Sequence, residues 1–256
     1  MIDLHSHVLP GIDDGPETFE GSIALAGAAS AGGVRTLLAT PHVSPRYPND
    51  AATIAELVER LNRRLVEGEI EVVVRAGAEI ALTRVAELDP EELGKLTLGG
   101  GPWLLIEPPF TPAVRGLDRM LLDVAELGHR VVIAHPERCP AFHHDRAALE
   151  LLVEKGLLTS ITAGSLVGRF GGTVKRFALE LVRDGLVHNV ASDAHGLGTR
   201  APGIADELDR AGLGGLTEWL TCEVPAAILT GETIPAAPSG AIARLRPRRS
   251  WPWQRA

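Results

Sequence analysis

The chain has 256 residues, 45% of them hydrophobic, 23% charged and only 4% aromatic. That composition excludes disorder of the whole chain, and two cysteines, Cys139 and Cys222, exclude a disulfide scaffold. The net charge is −8, but residues 1–240 hold 20 of the 25 basic groups and all 33 acids, while the last 16 residues carry five arginines and no acid. An acidic body of this kind excludes broad nucleic-acid binding, because phosphate backbones need basic surface.

Taken in chain order, short β-branched runs fall at residues 2–5, 34–39, 70–75, 103–106, 131–134, 157–162 and 187–191. Helical patterns lie between them at 18–31, 51–66, 114–127, 146–155, 174–183 and 204–211. Strand–helix alternation implies a parallel sheet with crossover helices. With no glycine-rich phosphate loop after the first strand, seven such units predict an α/β, TIM-like (β/α)7 barrel rather than a dinucleotide-binding sheet. The opening Met-Ile-Asp-Leu-His-Ser-His is too polar for a secretory segment, and the longest weakly polar run, 23–34, is too short to cross a bilayer. The expectation is a cytoplasmic protein with no transmembrane segment. From Ile234 the chain turns rich in Pro, Ala and Arg, so the reading is one domain over 1–233 and a mobile tail over 234–256.

The polar residues that end the apolar runs carry the chemistry. Strand one runs into His5-Ser-His7, the second apolar run into His42, the third into Glu79, the fourth into Glu107, the fifth into His135, and the seventh into Asp193-Ala-His195. Six of seven predicted strands thus finish in His, Asp or Glu, and in a parallel barrel those ends share the face where active sites are built. Alone, His42, His135, Glu79 or Glu107 would be ordinary loop or rim residues. His-x-His and Asp-x-His are more telling, since alternate strand residues point the same way and can grip one ion. Imidazole and carboxylate without thiolate suit Mn, Fe, Zn or Mg rather than a structural zinc knot. His129, His143, His144 and His188 fall outside this pattern and read as structural or solvated. Cysteine-based phosphate chemistry needs Cys-x5-Arg, and neither cysteine has it: the sixth residue on is Asp145 or Ile228.

These motifs resemble the PHP (polymerase and histidinol phosphatase) superfamily. Asp3-Leu-His5-Ser-His7 followed by Gly11-Ile-Asp13-Asp14-Gly15-Pro16 is similar to its branch of bacterial tyrosine-protein phosphatases encoded with capsule and exopolysaccharide genes. The likeness continues at Thr40-Pro41-His42, Gly77-Ala78-Glu79, Glu107, His135-Pro136-Glu137-Arg138, Ile161–Ser165 and Ser192–His195, with Arg200 five residues on, covering roughly residues 1–230. Cys139 departs from the aromatic that often follows His-Pro-Glu-Arg in that family.

The resemblance implies three divalent ions, Mn first, with Fe, Zn or Mg as alternatives. His5, His7, Glu79 and Asp193 would hold one ion. Glu79 would bridge to a second completed by Glu107 and His135, and Asp14, His42 and His195 would hold the third. Asp13 could stand in for Asp14 in the alignment, but the family pattern favours Asp14. Asp3 would fix a ligand imidazole from behind. Arg138 and Arg200 would clamp the phosphate, matching its oxygens with forked donors, while activated water attacks phosphorus. The implied substrate is a phosphotyrosine-bearing protein, such as the tail of a bacterial tyrosine kinase controlling polysaccharide export. The competing readings are a small-molecule phosphomonoesterase, for example on histidinol phosphate, and a binding module without catalysis.

Overall fold

The structure is a computed structural model that describes residues 1–112, 114–198 and 200–238. Among these residues lie nine parallel strands: β1 (Ile2–Ser6), β2 (Thr36–Ala39), β3 (His42–Val43), β4 (Val73–Ala76), β5 (Glu79–Ala81), β6 (Trp103–Glu107), β7 (Arg130–Ala134), β8 (Leu158–Thr162) and β9 (Asn189–Ala191). They form two sheets, β1-β2-β4 and β3-β5-β6-β7-β8-β9. Each of the seven expected strands has a counterpart, yet the single seven-stranded closed sheet is replaced by sheets of three and six. The reason is local. Pro41 has no N–H to give to a ladder, so β2 breaks and restarts as β3, and the Gly77-Ala78 pair interrupts the neighbouring run in register with it. His42 pairs with Glu79 immediately after both breaks, and Glu79 N donates to Pro41 O at 3.1 Å across them.

Beyond β9 the backbone returns to β1. Asp193 N donates to His5 O and His7 N donates to Ala194 O, both at 2.9 Å. Asp3, fully buried, reinforces this seam, accepting from Ser192 N at 3.0 Å and His5 N at 3.3 Å. It therefore ties two strand ends together through their backbones, where an imidazole partner was expected.

The strands are buried on both faces, as parallel sheets require. Ile80, Leu104, Leu105, Val132 and Ile133 are inaccessible to solvent, and amphipathic helices cover the sheet. The helix Ala51–Glu67 sets Ile54, Val58, Leu61 and Leu65 inward at helical spacing and is capped by Asp50, whose carboxylate accepts from Thr53 N at 2.7 Å. Helices Phe19–Ala31, Leu117–Glu126, Arg146–Glu154, Gly172–Arg183 and Ile204–Arg210 match the remaining expected ones to within a few residues. At the C-terminal end, Ile234 and Ala237 pack on the core, and the Trp219 indole donates to Pro235 O at 3.0 Å. This part of the expected tail therefore lies against the body, and 239–256 lie outside the described residues. No helix among the described residues is long and apolar enough to cross a membrane.

Candidate metal centre

Because every strand is parallel, their C-terminal ends, together with the short continuations β3 and β5, deliver polar residues to one face. His5 lies in β1 with His7 just beyond it, His42 opens β3, Glu79 opens β5, Glu107 closes β6, His135 follows β7, and Asp193 and His195 follow β9. Asp14 arrives from the loop after β1. The structure brings all nine residues together, in overlapping groups whose donor atoms lie within 4.8 Å of one another: His7, Asp14, His42 and His195; His5, His7 and Asp193; His5, Glu79 and His135; His42, Glu79 and Glu107. His42 thus reaches two groups, with Nδ1 3.1 Å from Glu79 Oε2 and Nε2 3.5 Å from Asp14 Oδ1. The floor, His5, His7, Glu79, His135 and Asp193, is buried, whereas Asp14 at the mouth is 46% exposed.

The donors face one another as ligands do. The Nε2 atoms of His5 and His7 are 3.3 Å apart, and Glu79 Oε2 is 3.3 Å from each. Asp193 Oδ1 and His195 Nε2 are buried without a well-formed hydrogen bond among the described residues. Orphaned polar atoms of that kind cost free energy unless a cation sits between them. Four carboxylates and five imidazoles, with no thiolate, fit divalent metal ions.

Partners behind the rings fix which nitrogen faces inward. Asp13 Oδ2 is 2.7 Å from His7 Nδ1 and accepts from His42 N at 3.1 Å, while its Oδ1 accepts from Gly15 N at 2.9 Å. Asp13 is thus the orienting carboxylate and Asp14 the one facing the imidazoles. His195 Nδ1 donates to Asp193 O at 3.0 Å, which turns Nε2 toward Asp14 Oδ1 at 3.3 Å. Two of these nine positions also carry left-handed backbone: φ is 30° at His135 and 51° at Asp193, a conformation non-glycine residues rarely adopt.

Electrostatics follow from this crowding. Burial and the Arg138 charge pull His135 down to about 4, so its imidazole is neutral at physiological pH. Burial and the neighbouring Glu79 charge push Glu107 up to about 8. Burial opposes ionisation of Glu79 and Asp193, but the surrounding histidines, and for Asp193 the two arginines, hold both well below the usual carboxylate range. Burial would likewise depress His7, but Asp13, Asp193 and Glu79 hold it well above its ordinary value. The His195 imidazole holds Asp14 far below the usual carboxylate range.

Arg138 and Arg200 both donate to Asp193 Oδ2 at the edge of the cluster. Their side chains, 15% and 26% exposed, remain open to a further anion, and Arg200 Nε has no hydrogen-bond partner among the described residues. Among the described residues the β8 end adds nothing to these groups. Instead Thr162 N, at 3.0 Å, and the Ser165 hydroxyl, at 2.6 Å, both donate to buried Glu137, which anchors the His135–Arg138 turn. Sequence reasoning missed Glu137 and the orienting role of Asp13. The second could have been read from Asp-x-Gly, a turn that turns a carboxylate back on its own backbone. His143 and His188 make structural contacts, to Glu137 O at 2.6 Å and from Thr159 N at 3.2 Å.

Fold and site together define an α/β protein of parallel strands with a thiolate-free carboxylate–imidazole candidate metal centre at the strand ends. Within that class the chain belongs to the CpsB/CapC family, described as capsular polysaccharide synthesis, whose family model matches residues 1–212. It is 41% identical over 201 residues to the tyrosine-protein phosphatase YwqE of Bacillus subtilis, covering 78% of this chain and 79% of the relative. It is 31% identical over 210 residues to the tyrosine-protein phosphatase CpsB of Streptococcus pneumoniae, covering 79% and 86%. A solved structure from work on YwqE and CpsB, described as unique metal-dependent tyrosine phosphatases, superposes with a TM-score of 0.80. It is 35% identical and covers 92% of this chain and 96% of the other. Dihydropyrimidinase from Brevibacillus agri shares the fold alone, at a TM-score of 0.55 and 12% identity over 92% of this chain and 72% of that one.

Proposed function

We propose that this chain is a metal-dependent protein-tyrosine phosphatase acting in control of capsule or exopolysaccharide synthesis. The observation that carries the reading is the convergence of nine carboxylate and imidazole donors beside two arginines, in a chain 41% identical to a tyrosine-protein phosphatase. Three divalent ions, Mn foremost, would be held by His5, His7, Glu79 and Asp193; by Glu79, Glu107 and His135; and by Asp14, His42 and His195. Ions bound there supply Lewis acidity to phosphoryl oxygens and lower the pKa of water.

The chain's own residues do the rest. Arg138 and Arg200 bind the non-bridging phosphate oxygens through charge-assisted hydrogen bonds, drawing on donors beside those given to Asp193. Asp13 keeps the His7 ring from rotating. Water attacks phosphorus, the bond to the tyrosine oxygen breaks, and the departing phenol, with a pKa of ~10, needs only modest proton assistance. The chemistry is assigned to residues 1–233, and the protein is taken to act in the cytoplasm, on a bacterial tyrosine kinase tail. The two sheets are read as a distorted seven-stranded barrel in which β2 with β3 and β4 with β5 each count as one interrupted strand. The β9-to-β1 backbone bonds support that reading.

Apart from residues 7–18, 44–50, 108–116 and 192–203, the segments that follow the strands are short, which suits a phosphotyrosine protruding from a protein and leaves little enclosure for a small amine-bearing substrate. Competition assays should rank kcat/KM for a phosphotyrosine peptide above a phosphoserine peptide and above histidinol phosphate. A tenfold advantage for histidinol phosphate would overturn the assignment.

A further inference from the structure

Phe110 is 46% exposed, yet it lies against buried His135 of the candidate metal centre. Its ring stacks on the His135 imidazole, with centroids 5.4 Å apart and an interplanar angle of 26°. The Arg138 guanidinium lies 5.3 Å from its centroid and 4.4 Å from that of Phe170. An open aromatic surface therefore adjoins both a candidate metal ligand and a candidate phosphate clamp. Rings continue across the whole site, from Phe110 through His135, His5, His7 and His42 to Tyr47, with neighbouring centroids 4.6–5.7 Å apart.

The position of Phe110 is fixed rather than incidental. Pro108 and Pro109 precede it and restrict the backbone leaving β6. The Cys139 thiol, beside Arg138, donates to Pro109 O at 3.6 Å and pins the loop to the turn that carries the arginine. Exposing a large apolar ring on a preorganised loop costs solvation, which a bound aromatic group would recover.

We propose that Phe110 is a specificity-determining residue that packs against the aromatic ring of an aryl phosphate whose phosphate is held at Arg138. This deepens the tyrosine-phosphatase reading and rests on it. A ring one bond from the phosphate group reaches Phe110 when the phosphate meets Arg138, whereas an alkyl phosphate offers no face to stack. Phe170, on Arg138, holds the guanidinium in line and leaves Phe110 to the substrate.

Phenylphosphonate and methylphosphonate, which carry the same charged head on carbon and are not phosphate esters, separate ring from phosphate. Their Kd values are measured by calorimetry on the manganese-loaded full chain and on Phe110→Ala and Phe110→Trp. The parent should bind phenylphosphonate about tenfold more tightly than methylphosphonate. Phe110→Ala should bring that ratio close to one, and Phe110→Trp should keep it. An unchanged ratio in Phe110→Ala would overturn the proposal, because an effect exerted only through Arg138 weakens both ligands alike. Binding of both by the parent with no phenyl preference would also overturn it while leaving the phosphate site intact. If a folded, metal-loaded parent binds neither, the phosphatase reading falls and Phe110's role falls with it.

Discussion

His7 illustrates how one side chain is poised to act as a ligand. Its Nδ1 is committed to Asp13, so only Nε2 is left to face Glu79 and Asp193. Asp13→Ala removes that commitment and lets the ring turn. Loss of such an orienting partner typically costs about 10–100-fold in metal affinity, so manganese titration against a chelating indicator should show weaker binding in a folded variant. Unchanged affinity would mean that packing alone orients His7. Adjacent Asp13 and Asp14 could not be told apart by spacing, because which of them meets the imidazoles depends on how the turn at Gly15 folds back. Arg200 raises a different question, since it touches Asp193 as well as open space. Arg200→Ala should lower kcat/KM by at least ~10-fold while metal content stays unchanged, because a charge-assisted hydrogen bond to phosphate contributes roughly 1.5–3 kcal/mol. If metal is lost instead, Arg200 serves Asp193 rather than substrate.

Strands and their long helices were legible because parallel strands must be apolar throughout and the covering helices keep a 3.6-residue period. The breaks at Pro41 and Gly77 were not, since one proline and one glycine give no sign of whether a strand ends or resumes. Helices such as Leu82–Val85 and Ala163–Val167 span little more than a turn and carry no period to detect. Between β8 and β9, Thr159 N donates to His188 Nδ1, an arrangement that requires neutral imidazole. Burial draws His188 down to about 4. Its folded pKa lies below the unfolded ~6.5, so the stabilising difference is complete above 6.5 and is lost as pH falls from 6.5 toward 4. At pH 5 the loss is roughly 2 kcal/mol. His188→Asn, which keeps an acceptor near the same place, should show a smaller drop in Tm between pH 7.5 and pH 5 than the parent. An identical drop would show that His188 is not the group that titrates.

Across the molecule, an acidic chain gathers five imidazoles and two arginines onto the one face where its parallel strands end. That convergence was readable because strand ends in such a fold share a face, whatever the helices between them do. Phe110 was not readable, since its partners His135 and Arg138 lie far along the chain and meet it only through the loop pinned by Cys139. If metal held by these strand ends, and no thiol, performs phosphotyrosine hydrolysis, metal content and activity must rise and fall together. Both are to be followed in one preparation, on a phosphotyrosine peptide, through chelation, manganese return and thiol alkylation. Chelation should remove metal and activity together and manganese should restore both. Alkylation should leave most activity, as Cys139 is 1% exposed and neither cysteine begins a Cys-x5-Arg loop. Full hydrolysis by metal-free protein, or its loss on alkylation with metal still bound, would contradict a metal-based mechanism at this site.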